Sequence, residues 1–211
     1  LEDGVLEQLG ALPCPAVILD SYFTYDELPD NVSLLLPDAR ANGQSCIRCF
    51  RDKGHRRIGF IRAVPDGTIP QQMIAGAQEA AAASGIELTL LSGAIKSWES
   101  SREASRKVTL DSLGEIRERE LTGLVYIGSA GAFAGRRVLW EHGIRVPEEV
   151  GILAHGDDPI LQDCTPALSS TRTDFTAMSR DALDILAGNL PRQRERRYPA
   201  VIVDRESIPH R

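Results

Sequence analysis

The sequence is poor in the features that mark membrane, disulfide-stabilised or nucleic-acid-binding proteins. No stretch approaches the ~20 consecutive apolar residues of a transmembrane helix, and the first residues lack the pattern of a signal peptide. Basic residues are scattered and the formal net charge is −6, so the positive stripe that binds a phosphate backbone is missing. Any contact with DNA is therefore expected to come from residues outside this chain.

Cysteine is also scarce, with four residues at positions 14, 46, 49 and 164. This spacing does not suggest a disulfide framework, and a chain of 211 residues does not need one for stability. The cysteine usage therefore favours a reducing, cytoplasmic compartment. Hydrophobic residues make up 42% and charged residues 26%, an ordinary globular composition for one large domain or two lobes.

Short apolar runs alternate with segments of helical periodicity along most of the chain. Strands are predicted at 16–19, 57–61, 86–91, 121–127, 150–154 and 200–203, and helices at 42–53, 70–83, 99–119, 132–141 and 176–187. This alternation predicts right-handed βαβ units on a mainly parallel sheet. The basic run at residues 192–197 is expected to be a solvated loop before the last strand, with a phosphate or nucleic-acid patch as the alternative.

Residues 46–49 form a C-x-x-C motif, and His55 lies nearby. A redox or zinc site would need thiolates that solvent or a metal can reach. Here both sulfurs share the apolar face of a predicted helix, and no second C-x-x-C supplies further ligands. We interpret Cys46 and Cys49 as core residues.

Two further motifs invite a catalytic interpretation. Residues 128–131 (sequence GSAG) follow a strand and precede a helix, like a phosphate-binding loop, but they match neither G-x-G-x-x-G nor a P-loop. Asp157 and Asp158 offer two carboxylates, yet adjacent residues leaving a strand usually point apart. We expect no enzyme, cofactor or metal, while a small α/β enzyme using Ser129 or Asp157 stays an alternative.

Four segments together resemble the lac/gal repressor family of bacterial transcription regulators. Residues 142–157 (HGIRVPEEVGILAHGD) resemble its helix, Val-Pro turn and ligand-facing strand, and residues 165–171 (TPALSST) resemble its crossover. Residues 54–61 (GHRRIGFI) and 201–207 (VIVDRES) are similar to its strand signature and its usual ending. The four segments stand in the family's order, and together they indicate a resemblance that extends over essentially the whole chain.

The resemblance implies a two-lobed, type I periplasmic-binding-protein-like α/β fold, each lobe a mainly parallel sheet flanked by helices. The N-terminal lobe would be residues 1–56 plus 174–191, and the C-terminal lobe residues 57–170 plus 196–211. The N-terminal lobe would be incomplete, because in the family its first strands and the DNA-reading head precede the point that matches residue 1.

The resemblance also implies a function, the sensing of a small-molecule effector, sugar-like or another metabolite, in the cleft between the lobes. Such a domain would dimerise with a second copy and modulate operator DNA binding through a head that is absent from this chain. Hinge closure around the ligand would transmit the signal. The alternative is a periplasmic sugar-binding protein of the same fold that serves transport.

The resemblance implies that certain residues contact the effector. They lie at or near the ends of predicted strands, where ligands of α/β sheets bind. These positions are Asp20, Met73, Trp98, Gly128, Ser129, His155, Gly156 and Asp157. Asp20 would be a cleft-side aspartate or a turn cap, and Trp98 would line the ligand or belong to the core.

Several of these positions depart from the family pattern. Met73 replaces an arginine, Gly128 and Ser129 replace an Asn-Asp pair, Gly156 replaces an aspartate, and His155 takes an aromatic position. Because an arginine fork and a carboxylate are what grip sugar hydroxyls and carboxylates, we expect a less charged site that suits a flatter or more apolar ligand.

Overall fold

The computed structural model describes residues 4–19, 25, 27–65, 67–93 and 100–211. In chain order the strands are β1 (Ala16–Leu19), β2 (Val32–Pro37), β3 (Arg57–Arg62), β4 (Glu87–Ser92), β5 (Gly123–Tyr126), β6 (Gly151–His155), β7 (Ser169–Arg172), β8 (Glu195–Tyr198) and β9 (Val201–Val203). The helices are α1 (Val5–Gly10), α2 (Ala39–Asp52), α3 (Thr68–Ser84), α4 (Ser101–Asp111), α5 (Leu113–Glu118), α6 (Ser129–Glu141) and α7 (Phe175–Leu186), with a 3-10 turn at Pro159–Leu161.

The first of two compact units comprises the described parts of residues 1–38, 67–69 and 173–200. Its sheet has the strand order β1-β2-β8, and both pairings are parallel. The central strand β2 is buried along its whole length. The core forms where Met178, Ala182 and Ile185 on one face of α7 pack with Leu35 and Tyr198, which is the burial that an amphipathic helix over a parallel sheet requires.

The second unit comprises the described parts of residues 39–66, 70–172 and 201–211. Its sheet has the order β4-β3-β5-β6-β7-β9, in which only the β7–β9 pairing is antiparallel. All four residues of β5 are buried, and so are the first four of β6. Strands buried on both sides are typical of a parallel sheet covered by helices on both faces.

Glycines let the helices of the second unit approach the sheet and each other closely. The ring of Phe50 on α2 occupies the space that a Cβ on Gly123 of β5 would need. Gly135 of α6 likewise meets the ring of Tyr126, and Gly131 meets Ser105 of α4. The expectation of an α/β fold built on mainly parallel sheets is confirmed.

The grouping of the elements differs from the expected lobe boundary at residue 56. Helix α2 belongs to the second unit, because its Phe50 packs on β5 and its Gly43 contacts the backbone of α3. Strand β8, expected with the C-terminal lobe from residue 196 onward, belongs to the first unit because it pairs with β2. The first stretch of chain in the first unit therefore ends at residue 38 and not at residue 56.

Three local predictions were wrong or incomplete. The run at residues 192–197 is not a loop throughout, because β8 begins at Glu195. Strand β8 pairs with β2, and the sequence pattern did not predict β2 either. The predicted helix at 99–119 is two helices, α4 and α5, separated at Ser112, whose backbone (φ −93°, ψ 1°) leaves the helical region. The basic residues of β8 form a strand because pairing with β2 outweighs their weak intrinsic preference for strand structure.

Candidate functional site

The carboxyl ends of β3, β5 and β6 meet at one edge of the sheet in the second unit. The chain runs from β3 to β4 on one side and then crosses back to β5 on the other side of β3. Ligands of open α/β sheets bind outside the carboxyl ends of the strands at such a reversal of strand order, here between β3 and β5. The residues that follow β5 and β6 are therefore the natural candidates for a site.

The turn after β5 brings three of the predicted site residues together. Gly128, the N-cap residue before α6, has a φ of 104°, and Ser129 is buried in the first turn of that helix. The Oγ atom of Ser129 accepts a hydrogen bond of 3.3 Å from the backbone N–H of Asp158. Gly156 has a φ of 90°, and a Cβ at this position would lie 3.1 Å from Ser129 Oγ. A glycine at position 156 thus provides both the backbone conformation and the space.

Among the described residues, no histidine or carboxylate side chain is bonded to the Ser129 hydroxyl. A catalytic serine needs a base within about 2.6–3.2 Å of its oxygen. Over the described stretches of the chain, the only hydrogen-bond partner recorded for Ser129 Oγ is the Asp158 N–H. The hydroxyl therefore connects two loops of the site.

His155 ends β6 and lies next to a residue that the sequence analysis did not select, Asn42. The Nδ2 atom of Asn42 is 3.4 Å from Nε2 of His155. Asn42 is fully buried near the start of α2, and burial lowers the pKa of His155. The imidazole is thus held in its neutral form.

Met73 lies close to this pair through its backbone. A Cβ on Gly43, the residue after Asn42, would overlap the carbonyl oxygen of Met73 in α3. The side chain of Met73 is only 1% exposed. Met73 is one of the core residues, and its role as an effector contact stays a prediction.

Asp157 is the most heavily bonded of the predicted site residues. One carboxylate oxygen accepts a 2.7 Å bond from Arg205 and a 2.6 Å bond from the Ser170 hydroxyl, and Arg172 lies 3.6 Å from the other. Burial raises the pKa of this carboxyl, but the bonds from Ser170 and Arg205 outweigh it, so that the pKa is lowered. Asp157 is therefore ionised and already paired within its own unit.

Arg205 also donates to the carbonyl of Leu168 at 2.7 Å and to Ser170 Oγ at 3.0 Å. It belongs to the terminal segment that carried the family resemblance, but no local pattern pairs it with Asp157, 48 residues away. The sequence pattern around Asn42 also did not indicate a functional role, because an asparagine within a helix is usually interpreted as a solvated residue.

The remaining predictions concern the cysteines, a metal site, and Asp20 and Trp98. All four cysteines are free; Cys46 is buried, and burial raises the pKa of Cys49 to about 11. His55 is bonded to Thr122 and Pro209, and no group of three or more metal-ligating side chains occurs in the described part of the chain. Asp20 and Trp98 lie outside the described residues. None of the described helices is long and apolar enough to cross a membrane.

Comparison with known proteins assigns this architecture to a family. Residues 47–208 match the family described as a periplasmic binding protein-like domain. The chain belongs to the periplasmic-binding-protein-like family. This match covers the whole edge at which Gly128, Ser129, His155, Gly156 and Asp157 lie, so the site described above belongs to the family's fold and not to an appended segment.

The relatives of this periplasmic-binding-protein-like domain are transcription regulators. AscG of Escherichia coli, a helix-turn-helix transcriptional regulator, is 29% identical over 202 residues, which cover 86% of this chain and 59% of AscG. CelR of Thermobifida fusca, also a helix-turn-helix regulator, is 26% identical over 163 residues, covering 76% of this chain and 46% of CelR. The chain spans about half the length of these curated relatives.

A solved structure supports the fold independently of close sequence similarity. A LacI-family transcriptional regulator from Enterococcus faecium, solved with bound ribose, superposes with a TM-score of 0.79. The match covers 100% of this chain and 76% of that protein, at 18% identity. The expected periplasmic-binding-protein-like fold is confirmed by the family match and by this superposition.

Proposed function

We propose that this domain is the effector-sensing part of a DNA-binding transcription regulator of the lac-repressor type. The observation that carries the proposal is that AscG and CelR, which are related over most of this chain, are both helix-turn-helix transcriptional regulators. The same relationship favours regulation over transport, the alternative for this fold. A protein that acts on operator DNA works in the cytoplasm, and we propose that compartment.

The effector is a small metabolite bound at the carboxyl-end edge of the sheet in the second unit. His155, Ser129 and the glycines at 128 and 156 converge there. The E. faecium neighbour carries ribose, which supports a sugar or sugar-like ligand. Asp157 contributes by anchoring the loop, because Arg205 and Ser170 already use one of its carboxylate oxygens. Asp20 and Trp98 remain predicted contacts.

The output is a change in DNA affinity of the full-length protein. The head that binds operator DNA lies outside this chain, and two copies of the regulator assemble on a two-fold operator. An effector that binds the two signalling states differently shifts operator affinity by ~1–3 kcal/mol, or about 5–150-fold.

A thermal-shift screen of the full-length protein against pentoses, hexoses, sugar acids, polyols and nucleobases tests this proposal. A ligand at 100 times its Kd adds ~2.7 kcal/mol. This shifts Tm by several degrees, at ~2–4 °C per kcal/mol for a domain of this size. We expect His155→Ala to reduce the shift and Arg48→Ala, at an exposed position on α2, to leave it unchanged. Absence of a shift with every compound, in a well-folded protein, would count against a sensor.

A gel-shift assay of the full-length protein with its upstream DNA separates the regulator from its rivals. Retardation that changes with the effector supports regulation, whereas effector binding without any DNA binding favours the transport alternative. Turnover of a compound that is lost on Ser129→Ala or Asp157→Asn would instead revive the enzyme alternative.

A further inference from the structure

Asn42 is a buried polar side chain in a position that helix packing does not explain. It is 0% exposed, although amide side chains are rarely buried without a specific hydrogen-bonding reason. Its Nδ2 atom is directed at Nε2 of His155, 3.4 Å away and 113 residues later in the chain. The amide therefore connects α2 to the last residue of β6.

The backbone around Asn42 is held in place by helix packing. A Cβ on Gly43 would overlap the carbonyl of Met73, and a Cβ on Gly76 would overlap the carbonyl of Arg40. Helices α2 and α3 therefore cross with their backbones in direct contact on either side of Asn42. An amide on such a support is pre-organised, because neither its helix nor its neighbour can shift without a steric clash.

The contact determines which nitrogen of His155 carries the proton. With its amide nitrogen toward the ring, Asn42 offers an N–H donor and no lone pair, and this orientation pairs with an acceptor lone pair on Nε2 of His155. A neutral imidazole that accepts at Nε2 carries its proton on Nδ1. Burial, which lowers the pKa of His155, disfavours the doubly protonated form.

Nδ1 of His155 is then left as an accessible donor. Over the described parts of the chain, every buried side-chain nitrogen or oxygen has a partner, and the only hydrogen bond recorded for the His155 side chain is the one to Asn42. Among the described residues, therefore, no side chain or backbone group occupies Nδ1. An N–H group at the carboxyl end of a parallel strand is placed where a ligand of this fold binds.

We propose that Asn42 is a positioning residue that fixes His155 as a neutral imidazole protonated on Nδ1, so that the site presents an N–H donor to a hydroxyl, ether or carbonyl oxygen of the effector. The use of this donor by an effector rests on the proposed function above. The pairing of Asn42 with His155 does not.

NMR of the protein labelled with 15N-histidine tests the pairing without any effector. Two-bond 15N–1H spectra at pH 7.5 report the tautomer of each ring, and His155→Gln assigns the signal. We expect His155 to be protonated on Nδ1, whereas His55, whose Nε2 faces the carbonyl of Pro209 at 2.9 Å, serves as an internal reference protonated on Nε2. A wild-type His155 protonated on Nε2 would overturn the proposal.

Two variants of Asn42 and one control make the test specific. Asn42→Leu removes the donor, and we expect the His155 signal to move toward the Nε2-protonated form. Asn42→Asp keeps the shape but offers only acceptors, so that the proton moves to Nε2 and the pKa of His155 rises. Arg48→Leu, at an exposed position on α2, leaves both properties unchanged. If Asn42→Leu does not fold, Asn42→Asp decides alone: an unaltered tautomer and pKa in that variant contradict the proposal.

The outcomes for Asn42 and for the proposed function are separable. If wild-type His155 has the expected tautomer but no compound produces a thermal shift, the pairing stands and the sensor function fails. If a compound binds and its affinity is unchanged in a folded Asn42→Asp variant with a shifted tautomer, the effector does not use the His155 donor. A tenfold or greater loss of affinity in Asn42→Asp, with no loss in Arg48→Leu, is the expected result.

Discussion

Single residues in this domain obtain their properties from partners that are distant in the chain. His55 illustrates the point, because its ring connects Thr122 and Pro209, with nitrogen–oxygen distances of 2.9 Å each, and packs edge-on against Phe50. Burial lowers the pKa of His55, partly offset by its bond to the Pro209 carbonyl. A buried neutral histidine of this kind makes stability depend on pH.

We expect acidification below about pH 6.5, the usual pKa of histidine, to destabilise the domain through His55. The folded protein resists protonation there while the unfolded chain does not, so stability is complete above the unfolded pKa and falls as pH decreases toward the folded pKa. Urea unfolding between pH 5 and 7.5 measures this slope. His55→Gln should be less stable at pH 7.5 but show a shallower slope; an equal slope would assign the effect to other groups, His155 foremost.

Asp157 yields a second prediction at the residue scale. Its side chain is 9% exposed and that of Arg205 is 16% exposed, so the pair is largely shielded from solvent. A double-mutant cycle of Asp157→Ala and Arg205→Ala should give a coupling energy of ~0.5–3 kcal/mol, as expected for residues in one hydrogen-bonded network. Chemical denaturation measures it. A coupling of this size is not expected for the exposed pair Arg145–Glu149. If the effects of Asp157→Ala and Arg205→Ala on the free energy of unfolding simply add, Arg205 is not the partner of Asp157.

At the scale of secondary structure elements, glycines determine how closely helices approach. Gly43 and Gly76 are the points where α2 and α3 meet backbone to backbone. The atoms that a new Cβ would strike belong to main chains, which cannot move aside as a flexible side chain can. The same glycines hold Asn42 beside His155, so packing and site geometry share one cause.

We expect Gly43→Ala to lower the free energy of unfolding by ~1–3 kcal/mol or to prevent folding, since overpacking outweighs the gain in helix propensity. Gly114→Ala is the matched control, because a Cβ at this helical position meets no atom within 4 Å. It should leave stability unchanged or raise it by up to ~1 kcal/mol. Equal effects of the two substitutions on urea unfolding would contradict close helix crossing at Gly43.

At the scale of the whole molecule, the two units differ in how well their sheets are enclosed. The sheet of the first unit has three strands in the described residues, so that only β2 has a neighbour on each side. In the second unit β3, β5, β6 and β7 all have two neighbours, and a larger core that includes Leu124, Tyr126 and Ile152 packs around them. Local stability follows burial and the number of enclosed strands.

Hydrogen–deuterium exchange should therefore resolve the two units. We expect peptides from β3, β5 and β6 to exchange slowest and peptides from β1 and β8 to exchange much faster at neutral pH, because the edge strands open locally. Addition of an effector found in the screen should slow exchange at residues 127–131 and 155–158. Equal protection of β1 and β5 would mean that the first unit is stabilised by contacts beyond its own sheet.

Much of the architecture follows from local pattern. Apolar runs bounded by glycine and proline predict β1, β3, β5 and β6, because a strand buried on both faces needs continuous apolar residues. The Val-Pro turn and the segment at 201–207 carried the family resemblance. Such signals report whether a residue is buried and in which kind of element, and they survive at 26–29% identity.

Contacts across the chain could not be inferred in this way. The pairing of Asn42 with His155, of Asp157 with Arg205 and of β8 with β2 joins residues that are tens to more than a hundred positions apart. Periodicity identifies the face of an element that is buried but not the residue that lies opposite it. The register of packed helices and strands selects that partner, and with it the protonation, charge and bonding of the site.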